Sequence, residues 1–154
     1  MKRNARPAPL SGLARTTIGL EILLSLGALG GGLALMLGPR GEIIPLPVSA
    51  LAGSPFDTYF VPGLILFVVL GVGPILAADL AWLRQPVAPL AALLTGIGLL
   101  IWLLVEIAIV GFSSDPPLQP FYLVLALAIV VTGLRWLSAP SIGGRQDQVR
   151  EAHE

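Results

Sequence analysis

The sequence predicts an all-α fold, a transmembrane four-helix bundle, and three observations carry that expectation. Hydrophobic residues make up 55% and charged residues 12% of the 154-residue chain, a charged share about half that of an ordinary soluble domain. Mean hydropathy is +0.88, and the apolar residues gather in four runs separated by proline-rich or charged breaks. Runs of about 20 residues match the bilayer core. Lipid offers no hydrogen bonds, so each run must satisfy its own backbone as an α-helix. A free-standing soluble protein is thereby excluded. The third observation is the placement of the basic residues. With the amino terminus cytoplasmic, Lys2, Arg3, Arg6, Arg15, Arg84, Arg135, Arg145 and Arg150 lie inside and Arg40 alone outside, a strong positive-inside bias. The expected location is a bacterial cytoplasmic (inner) membrane with both termini cytoplasmic.

Residues 1–15 read as a basic cytoplasmic leader, with Pro7 and Pro9 among the charges. The first span is expected at 16–37. It is too long for the apolar region of a signal peptide and is not closed by a small-residue cleavage site. Residues 38–60 are polar and proline-rich. The second span is expected at 61–83, the third at 87–112 and the fourth at 121–137, each stopped by charge or proline: Arg84-Gln85-Pro86, Ser113-Ser114-Asp115-Pro116-Pro117, and Arg135 with Trp136. The four-helix domain thus covers 16–137, and 138–154 form a polar cytoplasmic tail. Trp82 and Trp136 then fall at the inner interface, where indoles are favoured.

Within the 38–60 connection, Ser54-Pro55-Phe56-Asp57 has the form of a helix start. Ser54 is the cap, Pro55 the first helical position and Asp57 complements the dipole. Pro62 should interrupt continuity into the second span. The expectation is a short extracytoplasmic element capping the bundle between helices 1 and 2. Farther along, Gly71-Val72-Gly73-Pro74 should kink helix 2 and release the carbonyl of Leu70. In helix 1, Gly27 with Gly31 and Ala28 with Gly32 make two small-xxx-small pairs that permit close helix approach, to a helix of this chain or of another subunit.

Three acids fall inside the spans, where an ionised carboxylate is costly and must find a partner. Glu21 and Asp79 lie near the inner face, within reach of Arg84 and Arg135. This charge cluster either locks helices together or handles protons or ions. Glu106 sits in the outer half, where Arg40 is the sole basic residue, and is expected to be neutral or hydrogen-bonded. It closes a helical stripe of Ala88, Ala91, Thr95, Leu99 and Trp102 that should face protein. Trp102 is expected to floor a cavity beneath it, with Tyr122 and Tyr59 as hydroxyl partners. Pocket and satisfied buried acid both remain open.

Cysteine is absent and the single histidine, His153, lies in the tail. Disulfides, thiolate metal sites and thiol chemistry are excluded from this chain, haem ligation within the membrane region is not expected, and no metal and no cofactor is expected. The nine basic and nine acidic residues cancel, and nucleic acid is not an expected partner.

The run Ser54-Pro55-Phe56-Asp57-x-Tyr59-x-x-Pro62-Gly63-Leu64, followed by Trp102-x-x-x-Glu106, resembles a group of small four-helix integral membrane proteins common in actinobacteria. The resemblance covers residues 13–137 and implies the fold; it brings no activity with it. In layout alone the chain is similar to the DoxX-like membrane proteins. The expected function is non-enzymatic: an accessory subunit of other membrane proteins, or a binder of a small apolar molecule such as a lipid or quinone. The alternative is a proton-coupled transporter or channel component working as a homo-oligomer through its buried carboxylates. An enzyme acting on a lipid head group through Glu106 is a third possibility.

Overall fold

The computed structural model describes residues 10–112 and 117–139. The leader up to residue 9, the break at 113–116 and the tail from 140 lie outside the described residues. Four helices are long and apolar enough to cross a membrane: α1 Gly12–Leu37, α2 Phe60–Trp82, α3 Ala88–Val110 and α4 Leu118–Leu137. No strand occurs among the described residues.

The helix ends follow local chemistry. Ser11 caps α1, its Oγ accepting from the Ala14 amide at 3.2 Å, and the Gly38 amide closes the other end on the Ala34 carbonyl at 2.9 Å. So α1 begins before Thr16. Three prolines sit inside first turns: Pro62 in α2, Pro89 in α3 and Pro120 in α4. The first amides of a helix have no intrahelical acceptor, so a proline there sacrifices nothing. This corrects two expectations. Pro62 does not break the chain's entry into α2, and α4 begins at Leu118 rather than 121.

The expected helical turn at Ser54 does not form. Ser54 Oγ accepts from the Phe56 amide at 3.3 Å, a local turn bond that replaces the capping geometry. Pro55 and Asp57 stay exposed in irregular chain, and the helical turn of this connection lies upstream at Val48–Leu51. Tyr59 holds the loop. Its amide donates to the Pro39 carbonyl at 2.8 Å and its hydroxyl to the Pro47 carbonyl at 3.0 Å. Burial pushes the phenol above the usual tyrosine range, so it keeps its proton and remains a donor at neutral pH. Leu35, Leu51 and Tyr59 form a small core there, with Phe56 and Ile109 packed against it.

Gly71-Val72-Gly73-Pro74 departs from ideal helix as a π-helical stretch, Leu66–Val72, with α geometry resuming at Gly73. Pro74 has no amide proton to give, and the widened turn accommodates the missing bond. The carbonyl engaged from outside is that of Gly71, which accepts from Ser25 Oγ at 2.7 Å.

α1 packs along α2 and against α4, and α3 packs against α4 and α2. α1 and α3 touch across one diagonal, while α2 and α4 do not meet. The central core draws on every helix: Leu24 and Ala28, Leu70, Leu99 and Leu103, and Leu125, Ala126 and Ile129. Toward the end where α1 starts and α4 stops, the buried residues are mostly alanine, including Ala14, Ala77, Ala78, Ala81, Ala88 and Ala92. Large apolar side chains instead point outward, with Leu104 at 69% and Leu26 at 67% exposure.

The small residues of α1 find their neighbours within the chain. A Cβ at Gly32 would lie 2.7 Å from both the Gly63 carbonyl oxygen and the Phe67 amide of α2, and one at Gly63 would lie 2.7 Å from Leu35 Cβ. Gly31 faces only Leu66, at 3.6 Å, and Ala28 is core. Because the Gly32 neighbours are backbone and cannot swing aside, Gly32→Ala should destabilise the bundle by about 1–3 kcal/mol. Gly30→Ala, where nothing lies within 4 Å, should leave stability equal or raise it by up to about 1 kcal/mol. Thermal unfolding of both variants in detergent is the measurement.

Candidate functional site

Glu106 is partly buried near the far end of α3, and two N–H donors hold it. Trp102, one turn earlier, donates Nε1 to Oε2 at 3.1 Å, and Gln119 of α4 donates Nε2 to Oε1 at 3.1 Å. The second Gln119 amide proton goes to the Gly111 carbonyl at 3.1 Å. Gly111 ends α3 with φ at 89°, a backbone that favours glycine. Gln119 therefore staples the start of α4 to the end of α3. It was invisible as a partner in the sequence because the fourth apolar run was read from residue 121, leaving Gln119 in the loop.

Of the two tyrosines expected beside Glu106, Tyr122 lies within electrostatic reach of it, although neither hydroxyl is hydrogen-bonded to it. Tyr59 serves its loop. Tyr122 packs on the central core with its ring edge-on to Phe121 at 5.2 Å, and its hydroxyl abuts Gly27 of α1, where any Cβ would collide with it. Thr95 belongs to a different acid. Trp102 packs against the core and reaches up to Glu106. The buried face of α3 runs through Ala88, Ala92, Gly96, Leu99 and Leu103, so Ala91, Thr95, Trp102 and Glu106 flank it rather than centre it.

Glu21 is the most enclosed acid, with 0% exposure. Thr95 Oγ1 lies 2.6 Å from its Oε1 and 2.8 Å from the Ala92 carbonyl. Its other oxygen, Oε2, has no hydrogen-bond partner, and neither has Oγ1 of Thr17, one turn away and equally buried. Asp79, Arg84 and Arg135 are exposed. The expected inner-face cluster is thus not assembled around Glu21, whose carboxyl is met by a threonine across the α1–α3 diagonal.

At this same end an open groove of about 430 Å³ is lined by Leu10, Ser11 and Ala14 of the α1 start. Ala81, Arg84, Gln85, Pro86 and Pro89 line it from the α2–α3 turn, and Trp136, Leu137 and Ala139 from the end of α4. The turn is a Schellman closure: the Arg84 amide bonds the Ala81 carbonyl at 3.1 Å and the Gln85 amide the Leu80 carbonyl at 2.9 Å. Arg84 occupies the left-handed position, with φ at 58°, where glycine is usual and a side chain costs about 1 kcal/mol. Among the described residues, no three His, Asp or Glu side chains converge to hold a metal.

No family model, curated protein or solved structure matches the chain. Function must therefore be argued from these three places: the Glu106 staple, the enclosed Glu21 and the groove.

Glu106 has the arrangement of a satisfied structural acid. Gln119→Leu should cost about 1–2 kcal/mol, the worth of a hydrogen bond to a carboxylate plus a donor lost to Gly111. The check is the melting temperature in detergent.

Proposed function

We propose that this is a non-enzymatic multi-pass protein of the bacterial cytoplasmic membrane, both termini cytoplasmic, which binds a lipid-like anionic amphiphile in the groove at its cytoplasmic end. The observation that carries the reading is Arg84, held in strained left-handed backbone at the lip of a groove of about 430 Å³. Such a volume is within the range of small-molecule sites. Backbone strain that a glycine would relieve is characteristic of positions kept for function.

The groove has the polarity an amphiphile needs. Leu10, Ala14, Trp136 and Leu137 offer apolar wall to a chain, while Ser11, Gln85 and the guanidinium of Arg84 offer donors to a head group. Arginine has five N–H donors and suits phosphate geometry even while serving another acceptor. Because the groove lies where all four apolar helices end, it falls at head-group depth in a bilayer. The basic bias places that depth on the cytoplasmic side, and Trp136 is of the type that settles there. The non-enzymatic reading rests on the absence of cysteine and of any histidine within the spans, which removes the common nucleophile and base pairs.

Native mass spectrometry of the protein released from membranes tests this. Wild type should retain a phospholipid. Arg84→Gly should unfold at higher temperature, by the equivalent of about 1 kcal/mol, while losing most of the retained lipid, and Trp136→Ala should lose it without the gain in stability. Undiminished retention in Arg84→Gly would sink the proposal.

A further inference from the structure

The Glu21 enclosure carries an inference that does not depend on what occupies the groove. Thr95 Oγ1 stands within hydrogen-bond distance of two acceptors, 2.6 Å from Glu21 Oε1 and 2.8 Å from the Ala92 carbonyl, yet a hydroxyl has one proton to donate. A protonated Glu21 gives each short contact a proton of its own: Oε1 donates to Thr95, whose own proton goes to Ala92. An ionised Glu21 would place a full charge in a site with 0% exposure, a costly arrangement in an apolar interior.

Among the described residues, the charged groups at the groove end of the elements packed around Glu21 are exposed, Arg84 of the α2–α3 turn included. On α2, Ala77 and Ala78 are buried while Asp79 is exposed; on α3 the hydrogen-bonded neighbour is Thr95. On α4, Arg135 is exposed and Tyr122 abuts Gly27; on α1 itself, Arg15 is exposed and Thr17 and Ser25 are uncharged. The carboxyl's remaining oxygen, Oε2, is an acceptor without a donor, and Thr17 Oγ1, one turn nearer the end of the helix, is a hydroxyl without a partner. Both are fully enclosed.

The stripe continues outward. Ala14, about 4.5 Å along the axis from Thr17, lines the groove floor. Thr17 is therefore the first polar group beneath the groove, and Glu21, about 6 Å farther, the second.

We propose that Glu21 is an internal proton-binding site, loaded from the groove end through Thr17. In loading, the Thr17 oxygen takes a proton from hydronium on the groove side, which leaves as water, and passes its own proton to Oε2 of the ionised Glu21; the carboxylic acid then turns to present that proton to Thr95. The reverse sequence unloads the site. Ser25 lies beyond Glu21 on the same face but is committed to the Gly71 carbonyl, so the route ends at Glu21.

Infrared spectroscopy of the lipid-reconstituted full chain tests this. The wild type should show the carbonyl stretch of a protonated carboxylic acid at neutral pH, assigned by ¹³C-glutamate labelling, that bleaches as pH is raised. The band should vanish in Glu21→Gln and survive in Glu106→Gln. Thr95→Val should shift its frequency by removing the acceptor, which keeps the test alive if Glu21→Gln fails to fold. In D₂O, Thr17→Val should slow the band's isotope shift several-fold. A wild type lacking the band, a band that persists in Glu21→Gln or stays unmoved in Thr95→Val, or one abolished by sodium at fixed pH, overturns the proton site. Wild-type exchange in Thr17→Val overturns the route.

Discussion

A buried polar group within the four helices can find a partner only inside the bundle, because the surroundings that its outward leucines and valines imply offer no hydrogen bonds. The rest of the structure depends on that constraint. Three side-chain bonds answer it: Glu21 with Thr95 joins α1 to α3, Ser25 with the Gly71 carbonyl joins α1 to α2, and Gln119 with Glu106 joins α4 to α3. Together they connect all four helices at three different depths. Each is worth only about 1 kcal/mol in such an environment, so they orient the helices, while tight packing of small residues supplies the adhesion. The Gly32–Gly63 approach between α1 and α2 is the clearest instance, with backbone set against backbone.

The two buried acids show the same constraint met in two ways. Glu106 has a nitrogen donor for each oxygen and lies near a helix end, where its environment is complete. Glu21 has one threonine and an oxygen left over, deep among alanines. Residue type is identical and chemical opportunity is opposite. An acid whose partners are all supplied is an anchor, and one whose partners are incomplete has capacity left for a mobile ligand. The groove at that end, with its strained Arg84, is the natural approach to the incomplete one.

Much of the fold was legible along the chain because hydropathy and length are one-dimensional properties. Four spans and their approximate limits follow from where apolar runs stop. The errors have a common cause. Pro62 was read as a helix breaker, whereas in a first turn a proline is harmless. Ser54 was read as a cap, whereas its hydroxyl turns back on its own loop at Phe56. In each case the residue's chemistry was read correctly, but its position within the element was not. Gln119 was missed for the same reason, since a boundary placed a few residues late put it outside the helix.

The sequence by itself determined that the chain makes four apolar helices, that three acids must be reconciled with them, and that helix 1 offers small residues for close contact. These follow from composition and spacing, which fix what each segment can bury. Only the tertiary structure decided who meets whom. Thr95 went to Glu21 and not to Glu106, Tyr122 to Gly27, and Asp79, Arg84 and Arg135 to the exterior. Those choices depend on which helix faces cross the α1–α3 diagonal and how little room alanine and glycine leave there, a matter of rotation and distance that periodicity along a single chain does not contain.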